Sequence, residues 1–375
     1  MSNPLSGAVD PAAPVGPRVF VATTAHQGAD ARIVFRQIAA LLDADFTIEY
    51  VAPLPQELHH PRLNHTVVTR ASGRRRIRGW IQVYRQLRRH RGTLDLVLVH
   101  DLELVLPVRL ARPKVPIVWD VHEDVVSSVP DRQWIPRLAR KPARFVVGAL
   151  ERFARRNTKL LLAEDSYAER LGDWPVVPNT TAVPAEVAAT PKMANRVVYL
   201  GRLSIGRGVQ TMIEAAEILG NEAELVLIGP ADDDVAELLR DATSRGILDW
   251  RGPLPNPQAL EIVDQAVVGL CLLQALPNYV GSMPTKVYEY FARGIPVITT
   301  PLPLAEQAIN SAQGGVVVPY DDAEQTANAI RDYLAHPDQA KEAGNDGHRW
   351  VQTHHNWAID GPLFAAQINQ WCHQA

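Results

Sequence analysis

Tyr199-Leu-Gly-Arg-Leu-Ser-Ile-Gly-Arg-Gly-Val209 joins a short apolar run to a segment of helical period through a turn holding three glycines, Gly201, Gly206 and Gly208. Arg196 to Leu200 before it has strand composition, and Val209 to Leu219 after it carries apolar residues at helical spacing. A strand that runs through a glycine-rich turn into a helix leaves free N–H groups at the helix start, where an anion is favoured. Arg202 and Arg207 fall on the mouth of this turn and suit a diphosphate, while Gly206 and Gly208 permit close backbone approach. The spacing is neither the dinucleotide fingerprint nor a Walker loop, so an ordinary strand-to-helix turn with two surface arginines stands beside the functional reading.

The same alternation extends in both directions. Downstream come the strand Glu224 to Ile228, the helix Val235 to Arg245, Leu248 to Arg251, the apolar Val267 to Leu273, the helix Thr285 to Arg293 and the strands Pro296 to Thr299 and Gly315 to Val318. Upstream, Arg18 to Thr23 leads through the loop Thr24 to Ala29 into an amphipathic segment Asp30 to Leu42. Then follow Phe46 to Val51, an Arg-rich helical stretch, Leu94 to Val99, Leu102 to Leu110, Ile117 to Asp120, Ala143 to Asn157 and Lys159 to Ala163. Strands alternating with helices call for parallel sheets covered on both faces. The expected fold is α/β, with two Rossmann-like doubly wound domains facing across a cleft and a C-terminal helical tail. Its expected parts are a disordered leader 1–17, a first domain 18–180, a linker 181–194, a second domain 195–345 and a tail 346–375 that packs back on the first domain.

Hydrophobic residues make up 46% and charged residues 21% of the 375, which excludes disordered and fibrous classes. Two cysteines, Cys271 and Cys372, draw neither a disulfide framework nor a zinc site. Met1 to Pro17 lacks the charged and apolar regions of a signal peptide, and no apolar stretch reaches membrane-span length, so a cytoplasmic protein is expected. The net charge is only −3, yet arginines crowd Arg74 to Arg91 around Ile77, Trp80, Ile81, Val83, Tyr84 and Leu87. That stretch reads either as a basic amphipathic helix docking on an anionic membrane, peripheral at its inner face, or as a core-packing helix with a basic outer side. Nucleic acid is not an expected partner.

A second informative stretch runs from Ser282 through Pro284-Thr-Lys-Val-Tyr-Glu289 to Ile298. Thr285 is placed to cap a helix, Lys286 lies in its first turn and Glu289 follows one turn on. A lysine at a helix N-terminus opposes the dipole and so implies a bound anion; a surface ion pair between Lys286 and Glu289 is the alternative.

Together the two stretches resemble the retaining GT-B glycosyltransferases of family 4 (glycosyl transferases group 1), which act in polysaccharide and glycolipid assembly. In the first half, Ala25-His-Gln-Gly-Ala-Asp-Ala-Arg-Ile33 is similar to that family's first loop, His100-Asp-Leu-Glu103 to its His-Asp-x-Glu element and Trp119-Asp-Val-His-Glu-Asp124 to its Asp-x-His-Glu segment. In the second, Gly201-Arg202, Arg207-Gly208 and the helix bearing Glu289 match its donor site. The resemblance implies that Arg202 and Arg207 hold the donor diphosphate, with Arg207 where lysine is the commoner choice. It further implies that Glu289 takes the ribose hydroxyls, that Gly28 lets the first loop approach the phosphate, and that His122 lies against the transferred sugar. No metal or other cofactor is implied, because the two cations neutralise the leaving diphosphate.

One departure from the family is Gly281, which stands eight positions before Glu289 where a glutamate is common; Lys286 is positioned to substitute by contacting phosphate or sugar. The expected reaction moves a sugar from a UDP- or GDP-sugar to the hydroxyl of a small-molecule, saccharide or lipid-linked acceptor, with retention at the anomeric carbon. A catalytically silent nucleotide-sugar-binding subunit and a GT-B-like epimerase are the alternatives. Elsewhere, Asp232 to Asp234 read as a solvated helix start, His354 and His355 as surface residues, and His100 either as a core histidine or as part of a site.

Overall fold

The computed structural model describes residues 16–26, 30–53, 58–122, 140–187 and 193–374. Gly28, Glu123, Asp124 and nearly all of the leader lie outside them. The chain divides into two units, one formed by Met1–Asn179 with Ala358–Ala375 and the other by Thr180–Trp357. The helix Pro337–His354, which the sequence reading split between domain and tail, is whole and belongs to the second unit.

The first unit holds β1 (Arg18–Ala22), β2 (Thr47–Ala52), β3 (Leu63–Val67), β4 (Leu96–Val99), β5 (Ile117–Val121) and β6 (Lys159–Leu162). They form one parallel sheet in the order β3-β2-β1-β4-β5-β6. Strands inside this order are apolar almost throughout, as a sheet covered on both faces requires, and every residue of β4 and β5 is buried. β3 escaped the sequence reading because it lies at the edge, where of its five residues only Leu63 is buried. Trp119 and Val121 of β5 join Val83, Leu87, Val105, Val108 and Ala154, so the helices Arg75–His90, Val105–Ala111 and Arg140–Asn157 cover one face. Asp120 points to the other side, because side chains alternate along a strand. After Trp357 the chain returns to this unit: Phe364 and Ile368 are buried, and Lys159 Nζ donates to Gln374 Oε1 at 3.1 Å.

The second unit repeats the plan with β7 (Arg196–Leu200), β8 (Glu224–Ile228), β9 (Asp249–Gly252), β10 (Val268–Cys271), β11 (Val297–Thr299) and β12 (Gly315–Val317). Their order is β12-β11-β10-β7-β8-β9, again all parallel. Val197 and Tyr199 pack into one core and Val198 into a second on the opposite face, which makes the sheet doubly wound. In both units the order reverses beside the first strand, between β1 and β4 and between β7 and β10. In open α/β sheets ligands bind at the carboxyl ends of strands at such a switch point.

At the second switch point β7 and β10 pair only through Val197–Val268 and Val198–Gly269 and then part. Tyr290 fills the gap: its hydroxyl accepts from Leu200 N at 2.8 Å and donates to Leu270 O at 3.3 Å. Gly269 makes room for the ring, since a Cβ there would meet Tyr290 Cδ2 at 2.4 Å. Among the described residues no helix is long and apolar enough to cross a membrane.

Candidate functional site

In the second unit the turn after β7 is set by two glycines in the left-handed half of backbone space. Gly201 (φ 135°) is followed by the short helical turn Ile205–Arg207 and by Gly208 (φ 78°), the cap of the helix Val209–Leu219. A Cβ on Gly208 would lie 2.2 Å from Leu272 O just past β10, so glycine is needed for the two switch-point loops to touch. Gln274 N donates to Gly206 O at 3.0 Å and ties the same loops together.

Two cations are aimed into this turn. Lys286, on the helix Thr285–Phe291, is only 7% exposed and donates from Nζ to Tyr199 Oη at 2.9 Å. Its Nζ stands 3.6 Å from where a Cβ of Gly201 would be. The Tyr199 hydroxyl in turn donates to Arg202 O at 2.7 Å, which fixes the turn's backbone. The Arg207 guanidinium lies over the Tyr279 ring, 5.6 Å from its centroid. Burial pushes its pKa down, but the hydroxyls of Tyr199 and Tyr279 beside it outweigh this and hold it above the ordinary arginine value. Among the described residues neither Arg207 nor Lys286 has a carboxylate partner. Among the described residues, two half-buried or buried cations with phenolic neighbours and no carboxylate leave an uncompensated positive field, the kind of environment in which an anion is favoured.

The structure treats the other predicted residues differently. Arg202 is turned to solvent, 64% exposed, and its Nε donates to Asp232 Oδ1 at 2.5 Å. Its charge is thus already paired with the first of the Asp232 to Asp234 acids, which together start the helix Asp233–Ser244. Lys286 is buried and held by Tyr199, so the surface ion pair with Glu289 does not describe it. Glu289 is half-buried on the same helix. Thr285 is the first helical residue and not the cap; Pro284 holds that position and no side chain caps the helix. Gly281 has φ −95° and open space where a Cβ would be, so a side chain fits there without strain. Sequence reasoning missed Tyr199 and Tyr279, because aromatic residues at strand and helix spacing read as core.

In the first unit the switch point is built from acids and histidines. Asp101, just after β4, accepts from Thr23 Oγ1 (3.0 Å), Thr24 N (2.5 Å), Thr24 Oγ1 (3.1 Å) and Ala25 N (3.0 Å), which clamps the loop after β1. Asp120 is fully buried in β5 and receives a two-pronged contact from Arg32, Nε to Oδ2 at 2.9 Å and Nη2 to Oδ1 at 2.8 Å. Gln37 Nε2 and His100 Nδ1 also donate to its Oδ2, at 3.1 and 3.2 Å.

Arg32 and Gln37 reach the same carboxylate because the amphipathic segment opens as a π-helix, Ile33–Ile38, with Gln37 N donating to Arg32 O at 2.9 Å. In an α-helix residues five apart diverge by about 140°, and the wider turn closes most of that angle. Burial alone would raise the Asp120 carboxyl, but Arg32, with His100 and His122, outweighs it and holds Asp120 well below the usual range. Burial pushes His100 below the ordinary imidazole value despite its bond to Asp120.

His122 follows β5 directly, with Nδ1 donating to Asp120 O at 3.1 Å. His100, Asp120 and His122 offer ligand atoms within 4.8 Å of one another, an arrangement that suits a metal ion. Here the carboxylate already carries Arg32 as its counter-ion, so the cluster's chemistry is that of a buried ion pair supporting two histidines.

The helix Arg75–His90 packs on the core, as one of its two readings expects. It buries Gly79, Val83 and Leu87 against the core, yet leaves Ile77 (59%) and Ile81 (45%) exposed between Arg74, Arg78 and Arg85. The helix Arg140–Asn157 of the same unit likewise exposes Phe145 (72%) and Val146 (63%) beside Lys141 and Arg144.

Comparison with known proteins follows this division. Residues 185–350, within the second unit, match the family of glycosyl transferases group 1. The chain as a whole shares the two-sheet GT-B fold of sucrose-phosphate synthase from Thermosynechococcus elongatus, at 18% identity and TM-score 0.70 over 96% of this chain and 98% of that one. It also shares the fold of HepE from Anabaena in complex with UDP and glucose, at 13% identity and TM-score 0.66 over 94% and 99%. Among sequence relatives, alpha-maltose-1-phosphate synthase of Mycolicibacterium smegmatis is 26% identical over 176 residues, 43% of this chain and 44% of that protein. The chain spans about half the length of the curated relatives it matches.

Proposed function

We propose that the protein is a family 4 glycosyltransferase that moves a sugar from a UDP- or GDP-sugar to an acceptor hydroxyl with retention at the anomeric carbon. The observation that carries this reading is the pair Arg207 and Lys286, held by Tyr199 and Tyr279 at the β7/β10 switch point with no carboxylate partner among the described residues. A diphosphate supplies the missing negative charge, and as it leaves, the two cations take up the charge that develops, with no metal required. Glu289 is assigned to the ribose, His122 to the transferred sugar and Gly28 to the first loop's approach to phosphate, as the family resemblance implies. Arg202, whose charge Asp232 already balances, has a lesser part than Arg207.

The exposed isoleucines, phenylalanine and valine set among arginines in the first unit suit an anionic bilayer, and a cytoplasmic enzyme docked there meets a lipid-linked acceptor in glycolipid or polysaccharide assembly. Sedimentation with vesicles containing anionic lipid, lost at high salt, is the expected result; equal binding to neutral vesicles refutes the docking.

The donor assignment is tested by thermal unfolding with UDP and GDP. A nucleotide at 100 times its Kd adds about 2.7 kcal/mol of stability by mass action, and no shift with either removes the reading. Gly281, with no carboxylate where the family often has one, favours one rival, a subunit that binds nucleotide-sugar without turning it over. Slow release of UDP or GDP from the sugar nucleotide in the absence of acceptor decides for the transferase; binding without release decides for the rival.

A further inference from the structure

His122 meets a second imidazole. Its Nε2 lies 2.8 Å from Nε2 of His26, with the rings edge to face and their centroids 4.5 Å apart. Two ring nitrogens at that separation hold a single hydrogen between them, since two lone pairs or two N–H groups face to face repel. The far end of the His122 ring decides which nitrogen carries it. His122 Nδ1 faces the main-chain carbonyl of Asp120 at 3.1 Å, and a carbonyl only accepts. A neutral His122 therefore has its one hydrogen on Nδ1 and a lone pair on Nε2, and the donor between the rings is His26 Nε2–H.

We propose that His26 is a positioning residue for His122: it fixes the tautomer and ring angle of His122 and fills the nitrogen that a donor-sugar hydroxyl takes over on binding. This rests on the transferase reading, in which His122 lies against the transferred sugar. His26 has somewhere to go when displaced, because its Nε2 is also 3.6 Å from Asp101 Oδ1, the carboxylate that clamps the loop after β1. A sugar hydroxyl donating to His122 Nε2 releases the His26 N–H to Asp101, so that the loop carrying His26 registers whether a sugar is present. Among the described residues, Asp30 lies 3.7 Å from His26 Nδ1, Asp120 lies 3.5 Å from His122 Nδ1, and the ring centroid of His100 is 6.0 Å from that of His122. The sequence carries the signal only in retrospect: His26, Asp30 and Arg32 lie within one short segment, but their partners Asp101, Asp120 and His122 come from two other strand ends.

The direct test is NMR of the full chain labelled with ¹⁵N-histidine. Scalar coupling across an N–H···N hydrogen bond gives a cross-peak between His26 Nε2 and His122 Nε2, with the hydrogen on His26. The cross-peak is expected in the free protein, is expected to persist with UDP or GDP alone, and is expected to vanish with saturating UDP-glucose or GDP-mannose, whichever binds. Its absence from the free protein, the hydrogen residing on His122 Nε2, or its survival beside a bound sugar nucleotide each overturns the proposal.

Kinetics give a second readout. His26→Ala should lower kcat for donor hydrolysis about 10- to 100-fold, the scale of a slightly misplaced group, with nucleotide affinity unchanged. His26→Gln, which keeps an N–H donor, should recover most of it. An unchanged kcat in His26→Ala, or a loss of nucleotide affinity in step with kcat, overturns the assignment. If wild-type protein binds neither UDP nor GDP, the transferase reading fails, while the cross-peak in the free protein still tests the hydrogen bond.

Discussion

The two units fold their strands in one order and furnish the switch point in opposite ways. In the first, charge is closed on itself: Asp120 is matched by Arg32, and Asp101 is filled by hydroxyls and amides of the loop it clamps. In the second, charge is left open among the described residues: Arg207 and Lys286 face tyrosine hydroxyls. The scaffold is therefore indifferent to the sign of what it presents. What separates a supporting cluster from a binding site is whether the protein completes its own electrostatics.

If that contrast is right, removing a cation should unfold the first site and disable the second. Arg32→Ala strands the buried Asp120 carboxylate, and breaking a buried pair in this way costs about 3–5 kcal/mol. A large drop in the unfolding midpoint is expected, and a wild-type denaturation curve would break the comparison. Arg207→Ala should leave that curve nearly unchanged and reduce turnover about 100- to 1,000-fold, as loss of one preorganised charge-stabilising donor does. Arg202→Ala sharpens the same point: its exposed pair with Asp232 is worth no more than about 1 kcal/mol, and turnover should fall far less than for Arg207→Ala.

The smallest expected effect is in pH dependence. His100 is depressed in the folded state, so below its ordinary value of 6.5 the unfolded chain takes up a proton that the folded one refuses. Stability should begin to fall as pH drops below about 6.5, and to fall further below about 4, where the depressed Asp120 carboxyl gives the same sign. His100→Asn should flatten the first limb; a first limb unchanged in that variant would assign it elsewhere.

The fold was legible because β-branched runs and helical periods alternate with little ambiguity from Arg18 to Val318. β3 was not, since an edge strand with one buried residue shows no apolar run. At the second site the glycines and Arg207 declared themselves through turn chemistry. The burial of Lys286 did not, because a lysine reads as surface until a tyrosine from another strand is seen beneath it. The Asp120 cluster was the least accessible: Arg32 and Asp120 are 88 residues apart, and the π-turn that lets Gln37 join them has no signature in composition. The pairing of Arg202 with Asp232 was not legible either, because adjacency to Gly201 says nothing of an acid that comes after the next strand.

The chain enters the first unit twice, with Ala358–Ala375 returning after the second unit is complete. During synthesis, then, the first sheet emerges before the returning segment in which Phe364 and Ile368 are buried, while the second unit is complete at Trp357. The second unit can close early, whereas the first must stay partly unsealed until the segment after Trp357 has been made. A probe of nascent-chain protection should find the order of maturation reversed relative to the order of translation.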